Sequence, residues 1–358
     1  MTPRFHTLTI AEVRRETPEA VSLRFALPAE LAPAYRFVPG QHLALRTQLG
    51  GEELRRSYSI CAGLDDGELR VAIKKVGGGR FSCWANEQLK PGDAIDVMTP
   101  DGRFTVPIDP THVKHYVAFA AGSGITPVLS LVKTLLAREP RSRVTLVYGN
   151  RRAATAMFQE ALEDLKDRYL ARFALYNVFS REEQEVELFN GRLDSAKVHA
   201  FLDTLIPAAT IDEAFVCGPA SMIDDVEAAL LAGGVPRAHV HVERFGTPAA
   251  NTVASEVAEE ASGAALATVT FVVDGLKREV QFRPEHGNLL DAGAAAGLDL
   301  PYSCKGGMCC TCRAKLIEGE VRMRKNFALE PADVDAGFVL TCQSYPLSER
   351  VLLSFDDR

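Results

Sequence analysis

Cys304-Lys305-Gly306-Gly307-Met308-Cys309-Cys310-Thr311-Cys312, answered by Cys342 after a gap of 29 residues, decides how the last part of this chain folds. Four residues separate Cys304 from Cys309 and two separate Cys309 from Cys312, a C-x4-C-x2-C…C spacing in which four thiolates hold a [2Fe–2S] cluster. Soft sulfur suits iron–sulfur chemistry. Gly306 and Gly307 let the loop take positive φ and bring its backbone close to the inorganic sulfides. Two alternatives use the same residues. A structural zinc site ordinarily shows two short C-x2–4-C knuckles, whereas here the first spacing is longer and one knuckle is followed by a lone distant Cys. Disulfides need an oxidising compartment, and Met1 to His6 carry neither the basic nor the apolar region of a secretory signal. The cluster reading is preferred, with Cys304, Cys309, Cys312 and Cys342 as ligands and Cys310 outside the set.

Working outward, 358 residues suffice for two or three domains, each with its own core. A 47% hydrophobic, 24% charged composition is that of a soluble globular protein. The net charge of −7 argues against a generic nucleic-acid binder. No apolar run approaches the roughly 18 residues of a membrane span, so no membrane association is expected. Eight cysteines, half of them in one cluster pattern, fit a reducing, cytoplasmic setting.

The texture divides the chain into 1–107, 108–246, a linker 247–265 and 266–358. In the first part, 7–14, 21–27, 42–49, 53–60, 68–75 and 94–98 read as short strands between turn residues, which predicts an antiparallel β-barrel. In the second, apolar strands at 116–120, 144–148, 172–179 and 214–217 alternate with helices such as 128–137 and 157–169, the pattern of an α/β doubly wound parallel sheet. Residues 247–266 are rich in Ala, Ser, Thr and Glu, with little to bury. The last part opens with a hairpin, 268–273 and 277–282 around Asp274-Gly275, followed by a helix at 288–296 and then the cysteine loop.

Short motifs stand at the ends of these elements. Arg56-Ser57-Tyr58-Ser59 ends a strand, and Gly79-Arg80-Phe81-Ser82 sits where a helix begins, a place where free backbone N–H groups and an Arg suit a pyrophosphate. Tyr58 offers a flat face to a ring, and Ser59 a hydroxyl. Gly122-Ser123-Gly124-Ile125-Thr126-Pro127 follows the first α/β strand and opens a helix. It lacks the third glycine of G-x-G-x-x-G, and taken alone it is also a plain strand-to-helix turn. Cys217-Gly218-Pro219 makes a second such turn. Glu243 alone reads as a strand-end carboxylate, Cys61 and Cys83 as small buried hydrophobes, and Trp84 as a core anchor.

In this order, Arg56-x-Tyr58-Ser59, Gly79-x-x-Ser82, Gly122-x-Gly124-x-Thr126-Pro127 and Cys217-Gly218-Pro219 resemble the motif set of the ferredoxin–NADP reductase superfamily. The C-terminal part is similar to a plant-type ferredoxin of the α+β, β-grasp kind, so the resemblance covers essentially the whole chain and implies a multidomain protein. Within the superfamily, the stretch Gly51 to Cys61, Tyr148-Gly149-Asn150-Arg151, Glu243-Arg244-Phe245-Gly246-Thr247-Pro248 and the cysteine loop most resemble the reductase subunits of ring-1,2-phenylacetyl-CoA epoxidases. The resemblance implies FAD, NADPH and a [2Fe–2S] cluster as cofactors. It places Arg56 and Ser82 on the flavin phosphates, Tyr58 on the isoalloxazine and Ser59 at its N5 region. Cys217 and Glu243 would then flank the meeting of nicotinamide and flavin, with Phe245 covering the other ring face.

Ser180-Arg181, after the strand 172–179, resembles the pair by which NADP-specific relatives hold the 2′-phosphate, and Arg151 and Arg152 add charge. Glu182 and Glu183 follow at once and leave a solvated loop as the alternative, but the reading favours NADPH. A nicotinamide gives up an electron pair as one hydride and a cluster takes single electrons, so a flavin belongs between them. The implied partner is the oxygenase component of a multicomponent monooxygenase, with a di-iron phenylacetyl-CoA epoxidase foremost. A Rieske dioxygenase, another di-iron monooxygenase and a non-catalytic electron-relay role are the alternatives. A linker at 247–266 would let the ferredoxin part swing.

Overall fold

Six strands occupy the first hundred residues: β1 (Phe5–Thr17), β2 (Ala20–Ala26), β3 (His42–Leu49), β4 (Glu52–Ser59), β5 (Leu69–Lys74) and β6 (Ala94–Met98). Their order is β4-β3-β6-β1-β2-β5, with antiparallel neighbours such as β1–β2, β2–β5 and β3–β6. An antiparallel bridge from Ile60 to Val71 joins the end of β4 to β5 and closes the barrel. Leu8, Ile10, Leu23, Leu45, Val71 and Val97 fill it. Helix α1 (Arg80–Glu87) turns Phe81 and Ala85, four apart and so on one face, toward that core. The computed structural model describes residues 3–246 and 266–357, so the expected linker 247–265 lies outside the described residues.

The barrel shares a unit, His6–Leu54 with Tyr58–Phe245, with a second layer system. Strands β7 (His115–Ala121), β8 (Arg143–Asn150), β9 (Phe173–Phe179), β10 (Glu213–Gly218) and β11 (Val240–Arg244) are all parallel, in the order β11-β10-β7-β8-β9. Helices α2 (Ile125–Arg138) and α3 (Gln159–Arg168) cover one face, and α4 (Ser195–Thr204) and α5 (Ala220–Ala232) cover the other. Burial on both faces explains the near-continuous apolar strands, such as Tyr116 to Ala120. The strand order reverses between β7 and β10, which makes the crevice at their carboxyl ends the switch point where such sheets bind ligands. The helix expected at 157–169 is shorter than its pattern because Phe158 takes a left-handed conformation, φ 60°, and α3 starts after it.

The smaller unit is made chiefly of residues from Gly246 onward. Strands β12 (Ala267–Val273) and β13 (Leu276–Phe282) form the expected hairpin, with positive φ at both Asp274 and Gly275, as a two-residue turn of type I′ requires. Helix α6 (Leu289–Ala295) is capped by Asn288, whose side chain accepts from the Asp291 amide at 2.8 Å. Next come β14 (Arg313–Glu318), β15 (Val321–Met323), the short helix α7 (Pro331–Asp335), β16 (Phe338–Leu340), β17 (Ser344–Pro346) and β18 (Arg350–Ser354). The main sheet runs β13-β12-β18-β14-β16, with β12 and β18 parallel and the other pairs antiparallel. Leu289, Leu290 and Ala292 of α6 share its core with Phe271, Leu353 and Phe355, a β-grasp arrangement.

No helix among the described residues is long and apolar enough to cross a membrane.

Candidate active site and cluster loop

Strand β4 carries the first motif outward and ends at buried Ser59. The Ser59 hydroxyl donates to Glu243 Oε2 at 3.3 Å, a contact between residues 184 apart in sequence. Glu243 stands on β11 directly beside Cys217 of β10 in the parallel register. Cys217 is fully buried, and burial, followed by the neighbouring Glu243 charge, pushes its thiol well above the ordinary value, so the thiol keeps its proton. A hydroxyl, a carboxylate and a neutral thiol therefore meet where the barrel faces the carboxyl ends of β10 and β11. Phe245, just beyond β11, is 42% exposed.

Around Ser59, Tyr58 is half-buried with its ring 5.5 Å from that of Phe81, and Phe81 in turn meets Trp84 edge-on at 5.4 Å. Gly79 caps α1 without a side-chain hydrogen bond, which leaves first-turn amides for an anion. A Cβ at Gly79 would stand 2.6 Å from Ser82 Oγ. That hydroxyl accepts from the Val76 amide at 3.1 Å and donates to the Gly79 carbonyl, which fixes the turn. Arg80 is turned toward the β3–β4 hairpin, where it pairs with Glu52 and donates to the Leu49 carbonyl at 2.7 Å. Arg56 and Ser57 are half-buried on β4, and Arg56 donates to the Arg55 carbonyl at 2.7 Å.

At the switch point, Gly122 to Gly124 make one 3-10 turn between β7 and α2. Gly122 has φ +55°, and a Cβ on Gly124 would lie 2.0 Å from the Cys217 carbonyl oxygen, so only glycine lets the two strand-to-helix turns touch. Half-buried Ser123 offers its carbonyl to the Thr126 hydroxyl at 2.9 Å, and Pro127 is buried in the first turn of α2. Gly218 and Pro219 open α5 in the same way, with Pro219 as the cap residue. Lys74, at the end of β5, places its ammonium 3.4 Å from the Cβ position of Gly122, and burial lowers its pKa. Sequence reasoning missed this cation, because nothing in a strand-end Lys-Lys pair foretells that it will overhang a glycine turn from another domain.

The ends of β8 and β9 are zipped together. The Ser180 amide donates to the Asn150 carbonyl at 3.0 Å and the Arg181 amide to the Arg151 carbonyl at 2.9 Å, so Arg151 and Arg181 emerge side by side, both exposed. Glu182 is turned aside and accepts from the Ala153 amide at 2.9 Å. Asn150 holds a buried side-chain amide near the Tyr148 hydroxyl that makes no hydrogen bond of good geometry, a polar group suited to a ligand.

In the smaller unit, positive φ at Lys305, Gly307 and Cys310 coils the loop, and a Cβ on Gly307 would stand 2.9 Å from the Lys325 carbonyl. The thiols fall into two neighbouring pairs, Cys304 beside Cys309 and Cys312 beside Cys342, within which each acts most strongly on the other. Within each pair the partner sulfur holds Cys304 and Cys342 below the usual thiol range and pushes Cys309 and Cys312 above it. Amides converge on the sulfurs, as from Gly306 to Cys304 Sγ at 3.3 Å. Two thiol pairs suit a two-iron cluster, which these four residues would hold. Among the described residues, no three His, Cys, Asp or Glu side chains close on a single ion. Cys310 points elsewhere, its thiol donating to the Ala328 carbonyl at 3.3 Å.

Family models describing an oxidoreductase FAD-binding domain, an oxidoreductase NAD-binding domain and a 2Fe-2S iron-sulfur cluster binding domain match residues 7–106, 119–228 and 271–347. The chain is 46% identical to a subunit of the 1,2-phenylacetyl-CoA epoxidase of Escherichia coli (strain K12), over 98% of both chains. The chain belongs to the family of FAD- and [2Fe–2S]-containing oxygenase reductases. Another member, the ferredoxin reductase component of 3-ketosteroid-9-alpha-monooxygenase from Rhodococcus rhodochrous, is 34% identical over 97% of this chain and 96% of its own. The fold of this reductase is that of phthalate dioxygenase reductase, with a TM-score of 0.60, 24% identity and 98% of each chain covered. It is an oxidoreductase that carries electrons from a nicotinamide dinucleotide through FAD to a [2Fe–2S] cluster.

Proposed function

We propose that this reductase oxidises NADPH and delivers the electrons to the di-iron oxygenase component of a phenylacetyl-CoA epoxidase in the cytoplasm. The relative at 46% identity over nearly the full length supports the substrate system. The observation that carries the chemistry is the Ser59–Glu243 hydrogen bond beside buried Cys217. Bound FAD would accept an electron pair as one hydride and release the electrons singly, which is what a one-electron cluster needs.

The residues have separable tasks. Arg56, the α1 amides of Gly79 to Phe81 and Ser82 hold the flavin phosphates, and Tyr58 packs on the ring. Ser59 offers its hydroxyl at the reacting edge, and Glu243 orients that hydroxyl by accepting its proton in a hydrogen bond. Cys217, kept neutral, packs against the nicotinamide without adding charge. Gly122, Ser123, Gly124, Thr126 and Pro127, with Gly218 and Pro219 opposite, leave room for the dinucleotide at the switch point. Ser180, Arg181 and Arg151 take the 2′-phosphate, a reading supported by Glu182 being engaged with an amide rather than offered to a ribose. Cys304, Cys309, Cys312 and Cys342 hold the cluster. The domains run 1–107, 108–246 and 266–358, joined by 247–265.

The test is a mixture of purified components. NADPH oxidation should be coupled to phenylacetyl-CoA oxygenation when an active epoxidase oxygenase component is added, and Arg181→Ala should raise the KM for NADPH by about tenfold while leaving that for NADH nearly unchanged. Electron delivery to a different oxygenase component but not to this one would replace the substrate assignment with that of the other relatives. Equal effects of Arg181→Ala on both nucleotides would remove the 2′-phosphate assignment.

A further inference from the structure

Cys342 lies in a 3-10 turn, Thr341–Gln343, whose two flanking side chains each hold one side of the cysteine loop. On one flank, the Thr341 amide and hydroxyl donate to the Cys312 carbonyl at 3.1 and 2.9 Å. On the other, half-buried Gln343 turns its side-chain Nε2 toward the Lys305 carbonyl at 2.9 Å, the Cys342 carbonyl at 3.0 Å and Cys342 Sγ at 3.5 Å. All three neighbours are acceptors, so the amide must present its NH2 here and not its oxygen. With two hydrogens available, one serves Lys305 and the other is shared between the carbonyl and sulfur of Cys342. The chain also fits closely around this side chain: a Cβ on Gly307 would come 3.2 Å from Gln343 Cγ, and the Arg324 amide donates to the Gln343 carbonyl at 2.8 Å.

We propose that Gln343 is a positioning residue for the cluster. It ties the Lys305 side of the loop to Cys342 and donates an N–H toward the Cys342 sulfur, which stabilises the extra negative charge of the reduced state. Hydrogen bonds to ligand sulfur raise the potential of an iron–sulfur centre. Gln343 therefore makes the cluster a better acceptor for electrons arriving from the flavin. A side chain of similar length without the donor should lower the cluster potential, and one bearing a negative charge should lower it more.

The inference rests on the four cysteines holding the cluster, and the experiment separates the two claims. Spectroelectrochemical titration of the holoprotein is compared with that of Gln343→Leu and Gln343→Glu. A downward shift of the cluster midpoint in both variants, larger for Gln343→Glu and with the flavin midpoint unmoved, is the expected result. An unchanged cluster midpoint in a loaded variant overturns the proposal. If neither variant retains its cluster, the unaltered holoprotein decides: with side-chain 15N-glutamine incorporated, pulsed EPR of the reduced cluster should show a 15N coupling, and its absence overturns the role of Gln343. A holoprotein with no rhombic EPR signal at all would instead sink the cluster assignment.

Discussion

The cysteine loop and the switch-point crevice both assemble a redox site, but they do so from opposite kinds of information. Three of the four proposed ligand thiols lie within nine consecutive residues, and the glycines that bend the chain lie between them. The crevice draws Ser59 from a barrel strand, Gly124 from the first α/β turn, Cys217 from the second and Glu243 from the last strand, and it exists only because the parallel sheet reverses its order between β7 and β10. A locally encoded site depends on its own spacing, whereas a topologically encoded one depends on how closely separate turns can approach.

The largest expected effect falls on the local site. Cys309→Ala should abolish the [2Fe–2S] signal in iron content, visible absorption and EPR while FAD content and NADPH-dependent flavin bleaching persist. Cys310→Ala should keep the cluster, because its thiol is engaged with the Ala328 carbonyl. Loss of the cluster in the second variant and not in the first would reverse the ligand assignment.

Next in size is the closest approach in the crevice. Gly124→Ala introduces a Cβ 2.0 Å from a backbone oxygen, which side-chain adjustment cannot relieve. Overpacking of this kind costs about 1–3 kcal/mol, so thermal unfolding should move down and nucleotide affinity should fall, with the cluster spectrum intact. An Ala variant as stable and as tight-binding as the parent would show that the two turns are not in contact.

The smallest effect is on a single hydrogen bond. Ser59→Ala removes the hydroxyl that Glu243 accepts from. At 3.3 Å the contact is long for an O–H···O bond, so its loss costs about 1 kcal/mol and hydride transfer measured by stopped flow should slow by roughly fivefold, with the protein remaining folded. A Ser59→Ala rate within twofold of the parent would leave this pair no part in the transfer.

This contrast also explains what could be read from residues alone. The cysteine spacing, the barrel strands and the apolar α/β strands were legible because each signal is local and periodic. The role of Lys74 was not, and that of Glu243 was legible only through the family resemblance, since a strand-end lysine and a strand-end carboxylate gain meaning when the sheet order sets them against Gly122 and Ser59. The start of α3 was misplaced for a local reason, as the left-handed Phe158 leaves no trace in a hydrophobic period. The irregular stretch after the cysteine loop, with β15, β16 and β17 of only three residues each, is too short to carry an alternation at all.

The central claim is that electrons enter at the topological site and leave through the local one, in that order. Anaerobic stopped flow of the holoprotein with NADPH tests it directly, by following flavin and cluster absorbance separately. Flavin should bleach first and the cluster should be reduced after it, with flavin bleaching alone in Cys309→Ala. Cluster reduction that precedes flavin bleaching, or that proceeds after FAD has been removed, would contradict it.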